Sequence, residues 1–146
     1  MTAMSNHLAS RLLNLVLRNQ TYSPANPNYL YVALFYSSSG LDGGSLADEV
    51  DQGNYARAQI NLQSSPMFTS STNGSIVQNA TDITFVTCAT ADWAPNGSEV
   101  TSAAIMDGGT LGSGNILIWG SFTTAKEILI DDQFKILAGD FKIQFT

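Results

Sequence analysis

The feature that most constrains this chain is a change of hydrophobic period at Tyr29. Before it, apolar residues recur at helical spacing: Leu8, Leu12, Leu13, Leu15, Val16 and Leu17. After it, the apolar segments are short, rich in Val, Ile, Phe, Tyr and Thr, alternate with period two, and are separated by Gly/Asn/Asp clusters. Strands are predicted at 29–37, 55–63, 82–88, 99–107, 115–122, a short piece at 127–130, 133–138 and 141–145. That many short strands with no helix between them pack most economically as two facing sheets. The predicted fold class is therefore all-β, an antiparallel β-sandwich, jelly-roll-like or Ig-like, with one N-terminal α-helix.

Local signals sharpen this outline. Ser5 is placed to cap the helix, and Pro24 and Pro27 lack backbone donors and push their predecessors out of helical geometry. Residues 1–28 are read as an amphipathic helix and linker arm, and 29–146 as the β-sandwich domain. Leu12, Leu13 and Val16 are expected to be buried, either on the body or across a subunit boundary. At the C-terminus Phe141, Ile143 and Phe145 should face the core and Lys142, Gln144 and Thr146 should face out. Ala138-Gly139-Asp140 then reads as a hairpin turn, and the glycine-rich loop 107–115 as the connection of another hairpin. The strand at 82–88, where Ile83 and Phe85 face opposite to Thr84 and Val86, is expected to be at least partly covered on both faces.

Composition excludes several functions. The single cysteine, Cys88, rules out an internal disulfide, and no Cys/His cluster of structural-zinc type is present. A net charge of −6 would repel a phosphate backbone, so nucleic acid is not an expected partner. The apolar run near the N-terminus is too short, and too interrupted by Arg11 and Asn14, to span a bilayer, and no cleavage site follows it. The expectation is a cytosolically made, unprocessed protein with no membrane segment. Charged residues form only 12% of the chain, about half the usual share, which suits a surface held by other proteins.

Residues able to carry chemistry are few. His7, the only histidine, stands in the first helical turn with no nucleophile beside it in sequence. Cys88 ends an apolar strand and reads as a small buried hydrophobe. Asp42, Asp48, Glu49 and Asp51 gather in a glycine-rich loop, but their spacing is not that of a calcium loop, and a solvated acidic loop is expected. Asp131 and Asp132 are neighbours that point apart and should close a turn. The glycines are not followed by Gly-Lys-Ser/Thr and make no phosphate cradle. Trp119 lies in an apolar run and is expected in the core, whereas Trp93, in the loop-like stretch 91–95, is expected to anchor an interface. No catalytic residue, metal or cofactor is expected, and the chain is not expected to be an enzyme.

Seven segments occur in a telling order: Tyr31-Val-Ala-Leu-Phe35, Tyr55-Ala-Arg57, Ile83-Thr-Phe85, Ala91-Asp-Trp93, Ala104-Ile-Met-Asp107, Leu117-Ile-Trp-Gly120 and Asp140-Phe141. Over residues 8–145 the pattern resembles small virion structural proteins of tailed phages, labelled tail-fibre proteins and similar in style to capsid decoration or cement proteins. The resemblance implies a β-sandwich, homo-oligomeric assembly with a trimer favoured, and attachment to capsid or tail proteins of the virion. The expected function is capsid decoration, binding and stabilising neighbouring shell subunits. The alternative is a tail- or fibre-associated protein, either an adaptor or a receptor- or sugar-binding knob. Loops at 38–54, 65–80 and 107–115 are the expected contact surfaces.

Overall fold

Val32, Ala33, Leu34 and Phe35 are consecutive and all fully buried. Successive strand side chains point to opposite faces, so this segment must lie in a sheet covered above and below. The structure, a computed structural model, describes residues 2–23, 25, 28–63, 68–70 and 76–144. In chain order its elements are β1 (Thr2–Met4), α1 (Asn6–Arg18), β2 (Tyr29–Phe35), β3 (Ala58–Asn61), β4 (Phe68–Ser70), β5 (Ile76–Asn79), β6 (Ile83–Thr87), β7 (Val100–Met106), β8 (Ile116–Lys126), β9 (Gln133–Ile136) and β10 (Lys142–Gln144).

The principal sheet runs β1-β8-β7-β2-β3 and is antiparallel throughout. Opposing it are a three-stranded sheet, β10-β5-β4, and a two-stranded one, β6-β9. Val32, Leu34, Ile105 and Leu117 from the principal sheet join Ile83, Phe85, Ile136 and Ile143 in one buried cluster. Alternate residues of the same strands, Ala33, Phe35, Ala104, Met106 and Ile116, form a second cluster on the other face with Leu41. The segment after β2 closes that face, with Tyr36 N–H donating to Asp48 O at 2.9 Å and Val50 N–H to Leu34 O at 3.0 Å. Each large apolar side chain so buried contributes about 1.5–3 kcal/mol. The fold is the all-β sandwich with one N-terminal helix expected from the pattern.

Several local expectations are corrected. Double coverage belongs to β2 and β7 and not to β6, whose Thr84 and Val86 are exposed opposite the buried Ile83 and Phe85. The segment 127–130 contributes only an isolated bridge, Ala94 to Ile128. β1, β4 and β5 were not foreseen; β5 lies inside the segment read as the loop 65–80, and pairs with both β4 and β10. Phe141 and Ile143 point inward and Lys142 and Gln144 outward as expected. Pro24, Pro27, Phe145 and Thr146 lie outside the described residues.

Ala138-Gly139-Asp140 does turn, with Gly139 at φ 84°, but the strands it joins do not pair. β9 pairs with β6, and β10 pairs with β5. The buried Asn79 holds this change of sheet: its Oδ1 accepts from Phe141 N–H at 2.9 Å, and its Nδ2 donates to Leu137 O and Thr81 O, each at 2.9 Å. Replacing Asn79 with alanine takes the acceptor from the N–H of the buried Phe141, and leaving a buried polar group unsatisfied costs about 1–3 kcal/mol. Urea unfolding should show a loss of about 2 kcal/mol with an unchanged slope.

Candidate interaction surface

α1 begins because Ser5 takes extended geometry, φ −69° and ψ 157°, and its hydroxyl accepts from Leu8 N–H at 3.2 Å. The same hydroxyl donates to Ile116 O, and Ser5 N–H donates to Leu117 O at 2.9 Å, so the cap is fastened to β8 and fully buried. Asn6 N–H adds a bond to Asp42 O at 3.0 Å. The helix ends at Asn19, which adopts the left-handed conformation at φ 50° and returns its N–H to Asn14 O. Arg18 in the last turn suits the negative end of the helix dipole.

Only the start of this helix rests on the body, where Leu8 packs against the main core. Further along, Leu12 is half-buried, while Leu13, Leu15, Val16 and Leu17 are 58%, 44%, 75% and 74% exposed. Within this chain, then, Leu13 and Val16 are not buried on the body. At 3.6 residues per turn Leu13, Val16 and Leu17 share one side of the helix and form a contiguous patch, whereas Leu15 falls on the side of Leu8 and Leu12; contiguous patches differ in meaning from scattered surface leucines. Arg11 and Arg18 fall on the opposite side of the helical wheel at 3.6 residues per turn.

Trp93 is placed differently from its expectation. It is fully buried and cannot anchor a partner: its ring meets Tyr55 edge-on at 5.3 Å, and its Nε1 donates to Asn54 Oδ1 at 3.2 Å. The bridge from Ala94 to Ile128 folds this loop inward, with Trp93 N–H donating to Ile128 O at 3.0 Å. Tyr55 is buried in turn, and its phenol is pushed well above its ordinary range, chiefly by burial. Trp119 is half-buried against the second cluster.

The acidic loop also differs. Glu49 is not solvated but buried against Arg57 in a two-pronged ion pair, Nε to Oε1 and Nη2 to Oε2, both at 2.6 Å. Arg57 Nη1 donates onward to Gly108 O at 2.6 Å and Ser113 O at 2.9 Å, tying the β7–β8 loop to the loop that closes the second face. Asp107 braces the same loop, accepting from Asn115 N–H at 2.6 Å and Asn115 Nδ2 at 2.7 Å. A side chain at Gly114, where φ is 86°, would meet Asp107 Oδ1 at 3.0 Å. No local sequence pattern pointed to this pair, because Glu49 and Arg57 meet only once β3 is docked.

Cys88 is buried, its thiol pushed up mainly by desolvation and donating to Ala91 O at 3.3 Å. Asp131 and Asp132 lie in a turn, Asp131 at φ 74° and Asp132 Oδ2 accepting from Leu129 N–H at 2.9 Å. Among the described residues no three His, Cys, Asp or Glu side chains gather as a metal site. Among the described residues no helix is long and apolar enough to cross a membrane.

The chain is thus an antiparallel sandwich with braced loops and an amphipathic helix that leaves apolar side chains in solvent. The chain belongs to the family described as Podophage GP4 fiber I protein gp80, whose model matches residues 3–144. It is a fibre-type structural protein of the phage virion. No match was found among curated proteins.

Proposed function

We propose that this chain is a fibre subunit that joins copies of itself through the exposed apolar face of α1. The observation that carries the reading is the face formed by Leu13, Val16 and Leu17, left in solvent on a helix whose first turn is fastened to β8. Burying these three side chains would contribute at most about 4.5–9 kcal/mol. That is of the size needed to offset the about 4–15 kcal/mol of freedom lost on association. The family description favours a fibre role over the capsid-decoration role expected first, and a trimer remains the favoured symmetry. Copy number per virion separates the two: a small tail-symmetric number fits the fibre, and a shell-stoichiometric number fits decoration.

The experiment is sedimentation of the wild type and of the Leu13→Asp/Val16→Asp variant. The wild type should sediment as an oligomer and the variant as a monomer with the same β-rich circular dichroism, since exposed substitutions shift stability by only about 0.5 kcal/mol. A wild type that stays monomeric as concentration rises, or a variant that still assembles, contradicts the proposal.

A further inference from the structure

Every lysine of the chain lines one groove. Lys126 at the end of β8, Lys135 on β9 and Lys142 on β10 share the lining of a cavity of about 710 Å³, and the sequence has no other lysine. All three are exposed, and among the described residues none is in an ion pair, the pair found being that of Arg57 with Glu49. Asp140 is the one acid on the lining, so two of the three positive charges there are uncompensated. In a chain of net charge −6 this is a local reversal of sign. A concave wall of low dielectric focuses such a field outward and draws in anions.

The rest of the lining says which kind of anion. Phe122 and Phe134 are half-buried there, their ring centroids 5.9 Å apart and tilted by 52°. Ser121 and Thr123, the strand neighbours of Phe122, also border the groove. Ammonium groups satisfy carboxylate or phosphate oxygens, and aromatic rings accept the C–H face of a pyranose. The volume lies within the range of small-ligand sites, about 300–1,000 Å³. A simple anion would use the lysines alone, without the exposed part of the two rings.

We infer that the groove between β8, β9 and β10 binds an anionic sugar, one carrying a carboxylate or a phosphate. It shares no residue with α1, so the inference stands or falls separately from the assembly reading.

Titration calorimetry on the full chain tests it with oligogalacturonate as the carboxylated probe, a phosphomannan fragment as the phosphorylated one, and maltohexaose as the neutral control. At least one anionic probe should bind, more tightly than inorganic phosphate and more weakly as salt is raised, and maltohexaose should not. The tighter of the two identifies the charged group. The Lys126→Gln/Lys135→Gln/Lys142→Gln variant, with all changes at exposed positions, should keep the wild-type Tm and lose affinity by about tenfold or more. The Arg11→Gln/Arg18→Gln variant should bind as the wild type does. The inference is overturned by failure of both anionic probes, by equal losses in the lysine and arginine variants, or by a glutamate-rich peptide that binds as tightly as the sugars. The last result would make the occupant an acidic polypeptide.

Discussion

Arg57→Ala should destabilise the protein by about 3–5 kcal/mol, the usual consequence of breaking a buried ion pair from one side. For a chain of this length that is roughly 6–20 °C in Tm. The loss has two sources. The Glu49 carboxyl group would be left buried, with the long 3.4 Å contact from Gly112 N–H remaining to its side chain among the described residues. Gly108 O and Ser113 O would lose the donor that holds the β7–β8 loop down. Removing both partners together, as Glu49→Ala/Arg57→Ala, should cost clearly less than the sum of the single changes, because the orphaned carboxyl group disappears. Additive losses in calorimetry would show that the two side chains are not coupled.

Trp93→Ala should be comparably damaging, at about 3–5 kcal/mol, through the cavity that a large core side chain leaves behind. The indole fills the space beside Tyr55, and Asn54 Oδ1, which accepts from Nε1, also accepts from Ala89 N–H at 2.7 Å. Tyr55 in turn accepts from Leu34 N–H at 2.8 Å, so disturbance at Trp93 reaches the centre of the principal sheet. Guanidinium unfolding followed by far-ultraviolet circular dichroism measures the effect. A change under about 1 kcal/mol, the size of an ordinary surface substitution, would mean that Trp93 is not a core residue.

These two sites also show where the sequence was readable and where it was not. Phe141 and Ile143 alternate with Lys142 and Gln144, so one buried face was evident from period alone. β2 reads as a continuous apolar run, and both its faces proved covered. Trp93 was misplaced because Asp92, Pro95 and Gly97 make its surroundings look like an exposed loop, and nothing local reveals that Ile128 pulls that loop inward. β1 has three residues and takes its order from β8, so its own composition carries almost no signal. Glu49 and Arg57 were hidden for a related reason: the acidic residues around Glu49 suggested solvent, and its partner arrives with a different element. The hairpin expected at Gly139 had the right turn and the wrong pairing, since Asn79, far away in sequence, decides where the chain goes next.

The helix was legible as amphipathic, and its exposed apolar side is where the account is most open to direct attack. Truncating the N-terminus would be a poor assay, because it strips β1 from β8 along with the helix. A thiol at position 16 is cleaner: Cys88 is buried and its thiol is held up by desolvation, so Val16→Cys introduces the one reactive sulfur. The measurement is the rate of maleimide labelling of this variant in purified virions against the dissociated, folded subunit. Fast labelling of the free subunit and strong protection in the particle is the predicted result. Equal rates in both would mean that α1 faces solvent in the assembled fibre and joins nothing.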